Sequence, residues 1–127
     1  LADGVFEWQP EGGRKQPWYF RAKDGRPFAF AGLWERWQPA VGEAVESCTI
    51  VTTEANDVVR PVHERMPVIL PPDSLDRWLG GGSTDALQSL LRPAPEGFLE
   101  SYPVSLCVNS PANEDPQCIA PVPSRSV

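Results

Sequence analysis

Glu7 sits between Phe6 and Trp8. A carboxylate held among aromatic rings is poorly solvated, so its pKa should rise, which suits a general acid or base working near neutral pH. The competing reading is a carboxylate on the wet face of an edge strand. His63 is the single histidine, bracketed by Pro61 and Pro67. Two prolines restrict the loop backbone and so can fix where the imidazole points. Its chemistry would be proton transfer; a plain surface or core-bonded histidine would do none. Arg60 and Arg65 flank it and could hold an anion, or pair instead with Glu64, Glu54 or Asp57. The run Thr52-Thr53-Glu54-Ala55-Asn56 reads as the end of a strand and the opening of a helix. Backbone N–H groups and hydroxyls converging there would suit a phosphate, although an ordinary helix cap accounts for the same residues.

Other chemistries fail on the residues present. One histidine cannot build a multi-histidine metal site, and Cys48, Cys107 and Cys118 are odd in number and widely spaced, with no C-x-x-C. Neither a zinc ribbon nor a disulfide scaffold is expected, and no cofactor is implied. Gly80-Gly81-Gly82-Ser83-Thr84 lacks the lysine of a phosphate loop and reads as a helix-to-helix linker. There is no G-x-S-x-G elbow. A Cys–His pair with His63 stays open, but Cys48 lies in an apolar strand and reads as buried and inert. Of the tryptophans at positions 8, 18, 34, 37 and 78, one or two at most are expected on the surface, where they could stack on nucleobases.

Net charge is −6, which disfavours nucleic acid until it is divided along the chain. Between Gly12 and Trp37 stand six basic residues (Arg14, Lys15, Arg21, Lys23, Arg26, Arg36) against two acidic ones (Asp24, Glu35). From Met66 onward three basic residues face seven acidic. A local basic face can hold phosphates on an acidic protein, because salt screens charge beyond about 8 Å. Scattered solvated charge is the blander reading. No apolar run approaches the roughly 18 residues of a membrane span.

The elements that must position these groups are short. Fifteen prolines and ten glycines in 127 residues argue against a helical bundle and for strands joined by turns. Strands are expected at Val5–Trp8, at Trp18–Phe20 and Phe28–Ala31 as a hairpin with Asp24-Gly25 at its tip, and at Ser47–Thr52, Pro67–Leu70 and Tyr102–Val108. Glu11-Gly12-Gly13 reads as a break, and Gly32–Glu35 as an extension of the second hairpin strand. Helices are expected from Glu54 to Arg60 behind a Thr53 cap, through Leu79 behind an Asp73 cap, and from Asp85 to Leu91 behind a Thr84 cap. The Pro-rich stretch from Ser110 reads as loose, with residues 122–127 a free tail. The fold class is therefore α+β, a curled or barrel-like, mostly antiparallel sheet flanked by short helices.

Four segments occur in a telling order: ADGVFEW (2–8), AFAGLWERW (29–37), SCTIVTTEAN (47–56) followed by VHERMPVIL (62–70), and PVSLCVNS (103–110). Together they resemble the SRAP family, the SOS-response-associated peptidase-like proteins that protect abasic sites in single-stranded DNA. The resemblance runs to about Pro121, so residues 1–121 are expected to form one SRAP-type domain. It implies a compact α+β fold with a basic DNA groove. It also implies an N-terminal Cys, freed by autocatalytic loss of the initiator Met, whose amine and thiol condense with a ring-opened abasic sugar to a thiazolidine crosslink. By the same resemblance Glu7 and His63 are catalytic, Glu7 shuttling protons and His63 orienting the sugar. Arg65 matches the motif arginine, Thr52 and Thr53 the strand end near the DNA backbone, and Arg60 joins them as a DNA contact.

One departure stands beside the match. The chain opens on Leu1 with no initiator Met and no signal peptide, which reads as a fragment or processed chain lacking the family's N-terminal portion. The α-nitrogens of all three cysteines lie in peptide bonds, so none replaces the N-terminal amine–thiol. Expected partners are abasic single-stranded DNA and, to cover exposed strand edges, the missing N-terminal segment or a second copy; the expected location is the cytoplasm. The alternatives are a peptidase acting on protein and a non-catalytic single-strand binder.

Overall fold

The structure is a computed structural model and describes residues 1–123. Antiparallel strands dominate and short helices are inserted late, so the class is α+β. The strands form one three-stranded sheet and three two-stranded ladders, with no closed barrel among the described residues.

β1 (Val5–Glu11) and β2 (Arg14–Ala22) form a hairpin in which Glu11 pairs Arg14 across Gly12-Gly13. Both glycines have positive φ, at 53° and 84°, as a two-residue hairpin turn of the primed type requires. The pair read as a break is therefore the turn itself. β9 (Leu99–Pro103) pairs the other side of β2. Alternation then sorts the side chains. One face carries Phe6, Tyr19 and Tyr102, whose rings lie 5.1 and 5.8 Å apart in sequence. The opposite face carries Val5, Phe20 and Trp18, packed into a core with Phe28, Val59, Val62, Met66, Ile69 and Leu99. Glu7 lies opposite Trp18 on that same core-facing side.

Gly4 precedes β1 for a packing reason. A Cβ there would overlap the Tyr19 ring, itself wedged between Phe6 and Tyr102. Gly4→Ala is expected to cost about 1–3 kcal/mol, the usual range for overpacking. Urea denaturation measures it, and an unchanged midpoint would count against the Tyr19 contact.

The remaining strands meet at a three-way junction. β3 (Ala29–Phe30) pairs β8 (Ile69–Leu70), β4 (Gly32–Trp37) pairs β5 (Val45–Ile50), and β6 (Thr52–Glu54) pairs β7 (Arg65–Pro67). Between them Ala31 N–H donates to Val68 O, Val68 N–H to Val51 O, and Val51 N–H to Ala31 O, each at 2.9 Å. Ala31 and Val68 are fully buried at this centre. The closed cycle leaves no backbone group at the crossing unpaired, which is what permits its burial.

Several expectations are corrected. The Asp24-Gly25 turn exists, with Gly25 N–H on Ala22 O, but it joins no hairpin, because β2 pairs β1 and β9 while β3 pairs β8. No helix spans 54–60. Thr53 instead pairs Met66 within a ladder, and Asn56 Oδ1 accepts from Val59 N–H to open a run of turns. β5 is exposed throughout, Cys48 included, rather than buried. The last strand ends at Pro103 and is followed by a 3₁₀ helix, Leu106–Asn109. The stretch after Ser110 is tied down by a second 3₁₀ helix, Pro116–Ile119, by buried Cys118 and by a bridge from Val104 to Pro121. Of the expected free tail, residues 124–127 lie outside the described residues, while Val122 N–H donates to Pro103 O.

Helices α1 (Leu75–Gly80) and α2 (Thr84–Gln88) lie in the expected stretches, with left-handed Gly81 closing the first. Asp73, however, sits inside a 3₁₀ turn (Pro72–Ser74) rather than capping α1, and α2 stops at Gln88, short of Leu91. The side-chain cap of the second is Ser83, one residue before Thr84. No helix among the described residues is long and apolar enough to cross a membrane.

Candidate functional site

His63 is aimed by the loop that carries it. Asn56 Oδ1 accepts from Val59 N–H, while Asn56 Nδ2 donates to Ala94 O. Ala55 N–H donates to Glu64 O and closes the loop. Asn56 N–H lies 3.4 Å from the sulfur of buried Met66. Val59 and Val62 are buried in the main core. With Val62 turned inward, His63 emerges at the surface beside it. His63 Nδ1 lies 3.0 Å from both the N–H and the carbonyl of Arg65. It accepts from the first in one neutral tautomer and donates to the second in the other, so the Arg65 backbone orients the ring in either.

Glu7 reaches the same place from β1. Glu7 and His63 line one open cleft of about 590 Å³ with Trp8, Lys15, Val108, Asn109 and Pro111. No hydrogen bond or ion pair joins the two among the described residues. Burial pushes the Glu7 carboxyl above its ordinary value, and the nearby His63 partly offsets this by favouring the charged form. The arrangement is a proton-accepting carboxyl and an imidazole with open space between them. Such a pair can pass protons to and from a small electrophile held in the gap.

Gln9 holds the two elements together. It lies two residues beyond Glu7 on the same face of β1. Its Nε2 donates to Pro61 O at 2.8 Å, while its Oε1 accepts from the Trp18 indole at 3.0 Å. Both ends of the amide are engaged. The tie fixes how far the His63 loop stands from the strand that carries Glu7. On the far wall, Trp8 Nε1 donates to Asn109 Oδ1 at 2.7 Å.

The expected DNA contacts fall elsewhere. Arg65 is exposed on β7, its guanidinium donating to Thr52 O at 2.8 Å and Thr52 Oγ1 at 3.1 Å. Thr53 is half-buried in the same ladder. Arg60 donates to Ala55 O and stands 3.9 Å from Asp57. None of the four lines the cleft, although Arg65 adjoins it through its backbone bond to His63. With no helix at 54–60, the phosphate site expected at a helix N-terminus is not formed. The cleft contains no cysteine, so the Cys–His alternative has no geometry here. Trp34 and Trp37 are the two well-exposed tryptophans, both on β4, and neither lines the cleft. No cluster of three or more potential metal ligands occurs among the described residues.

Gln9 and Asn109 carry no signal of their own in the sequence, and Lys15 stands out only as one of the six basic residues between Gly12 and Trp37. The period-2 spacing from Glu7 was the available signal for Gln9. Asn109 meets Trp8 from 101 residues away, and nothing local announces that.

The mostly antiparallel α+β framework is one that known proteins share. The chain matches the family described as SOS response associated peptidase (SRAP) over residues 1–111, and it belongs to that family. It is 41% identical over 121 residues to Abasic site processing protein YoqW of Bacillus subtilis (strain 168), the match covering 93% of this chain and 54% of the relative. Against Abasic site processing protein HMCES of Gallus gallus it is 35% identical over 144 residues, covering 96% of this chain and 42% of the relative. A crystal structure of a protein from Bacteroides thetaiotaomicron superposes with a TM-score of 0.84 at 30% identity, covering 95% of this chain and 54% of that one. The chain thus spans about half the length of the relatives it matches.

Proposed function

We propose that this chain carries the proton-transfer half of an abasic-site processing centre acting on single-stranded DNA. The observation that carries the reading is the pairing of a burial-perturbed Glu7 carboxyl with His63 on one open cleft, unbonded to each other. An imine forming between an amine and the aldehyde of an opened abasic sugar needs a proton delivered to the departing oxygen and one withdrawn from the amine. Glu7 performs the second transfer. His63 donates to the sugar oxygen. The amine and thiol that complete a thiazolidine come from outside these residues, as the family resemblance implies, and Arg65, Thr52, Thr53 and Arg60 contact the strand's backbone.

The test uses the full-length protein with an abasic single-stranded oligonucleotide. Covalent adduct is expected on denaturing gels with the abasic strand and not with the intact one. His63→Ala is expected to slow adduct formation or its reversal by about 10²-fold, the lower range for one acid–base group. Turnover of unmodified peptides with no adduct on abasic DNA would overturn the reading in favour of a peptidase. Salt-sensitive binding to intact strands without abasic preference would overturn it in favour of a plain binding module.

A further inference from the structure

Cys107 and Cys118 stand eleven positions apart in the chain, and their sulfurs lie 3.7 Å apart. Each stands on its own 3₁₀ helix, Leu106–Asn109 and Pro116–Ile119. Both helices are capped at their starts by side chains. Ser105 Oγ accepts from Cys107 N–H, and Asp115 Oδ1 accepts from Gln117 N–H. Asn113 braces the pair from between, its Nδ2 donating to Cys107 O at 2.8 Å while its carbonyl faces the Cys118 thiol at 3.5 Å. The backbone on both sides is therefore held with the thiols already in contact. No third ligand accompanies them, since no group of three or more potential ligands occurs among the described residues. A metal site is disfavoured and a two-thiol site is what remains.

The position of the first helix gives the pair a consequence. Cys107 is followed directly by Val108 and Asn109, which form one wall of the Glu7–His63 cleft. Asn109 also receives the indole N–H of Trp8. Whatever fixes Cys107 fixes that wall.

We propose that Cys107 and Cys118 are an oxidation-sensitive pair that closes to a disulfide under a hydroperoxide and clamps the Asn109–Trp8 wall of the cleft. The half-exposed Cys107 meets the oxidant first. Its sulfur attacks the O–O bond of hydrogen peroxide, giving a sulfenic acid and water. The buried Cys118 thiol then attacks that sulfur, the S–O bond breaks, and a second water leaves. Two thiols and one peroxide yield one disulfide and two waters, and a dithiol reductant reverses the change. Closure brings the sulfurs to about 2.05 Å, a small movement between helices already in contact. The cleft's other residues need not move.

Mass spectrometry of the full-length protein tests this without reference to DNA. Cys48, exposed on β5, is first replaced (Cys48→Ser) so that it cannot cross-link copies. Peroxide is expected to lower the intact mass by about 2 Da per disulfide and to protect both remaining thiols from N-ethylmaleimide. Digestion should yield one linked peptide pair, and dithiothreitol should undo the change. Hydrogen exchange at Val108–Ser110 should slow in the oxidised form. In Cys118→Ser the partner thiol is gone, and Cys107 is expected to accumulate as sulfenic or sulfinic acid instead. The proposal falls if the parent protein, Cys118 intact, gives that same over-oxidised Cys107 with Cys118 still alkylated. It also falls if the disulfide forms without slowing exchange at Val108–Ser110. Failure of abasic-site chemistry leaves these readouts unchanged, so the two readings are separable.

Discussion

Glu7→Gln in the full-length protein is expected to slow adduct formation on an abasic oligonucleotide by about 10²–10⁴-fold, the span assigned to a positioned acid–base group. Gln keeps the shape and the neutral hydrogen-bonding face of a protonated carboxyl but cannot exchange a proton. The pH dependence separates loss of chemistry from loss of structure. Burial holds the Glu7 pKa above its ordinary value of 4.5, so a rate that needs the carboxylate falls on acidification before an ordinary glutamate would protonate. The Gln variant should lack that acidic limb. His63→Ala withdraws the charge that pulls the Glu7 pKa down, and the limb should then move to higher pH. Stability runs the other way. A carboxyl whose folded pKa exceeds its unfolded one stabilises the fold when protonated, and that contribution disappears as pH rises through the folded pKa. At neutral pH, Glu7→Gln should therefore be as stable as the parent or more so, with the difference closing below about pH 4.5. A Gln variant that is both slower and less stable at pH 7 would show that Glu7 is structural.

That trade between stability and reactivity also explains why part of the candidate site was legible in the sequence. A glutamate between two aromatic residues, and a histidine between two prolines, break local expectation, and such breaks mark functional positions. The paired geometry was not legible. It depends on Gln9 reaching Pro61 across 52 residues and on Val62 turning inward so that His63 turns out. Turn chemistry was read correctly as chemistry and wrongly as topology. Asp24-Gly25 and Gly12-Gly13 both turn the chain, yet only the second joins paired strands, because pairing is decided by what β2 finds on each side. The β-branched run around Ser47–Thr52 announced a strand and concealed its exposure. Propensity reports fit to a pleated surface and is silent on what covers it. The expected helix at 54–60 lost to tertiary structure. Met66 and the ladder to β7 claim Thr53, and Pro61 leaves too little chain beyond Asn56 for more than turns.

Phe20→Ala should have the opposite signature to Glu7→Gln. Phe20 is fully buried on the central strand of the three-stranded sheet, facing Val59, Val62, Met66 and Leu99. Its removal forfeits the transfer of a large ring and leaves a cavity, a change that costs about 3–5 kcal/mol at comparable sites. Against a total stability of about 5–15 kcal/mol that is a large fraction, and Tm is expected to fall by roughly 10–20 °C for a unit of this size. Neighbouring β1 and β9 keep their ladders to β2, since the mutation touches no backbone group. Val62 loses a packing partner, however, and Val62 anchors the turn that presents His63. Well below the new Tm, the rate per folded molecule should stay within a few-fold of the parent, because Gln9 still ties Pro61 to β1. A calorimetric scan and an adduct assay on the same sample read both quantities. A Tm within about 2 °C of the parent would show that the ring fills no cavity of consequence, and the core assigned to this face of β2 would have to be redrawn.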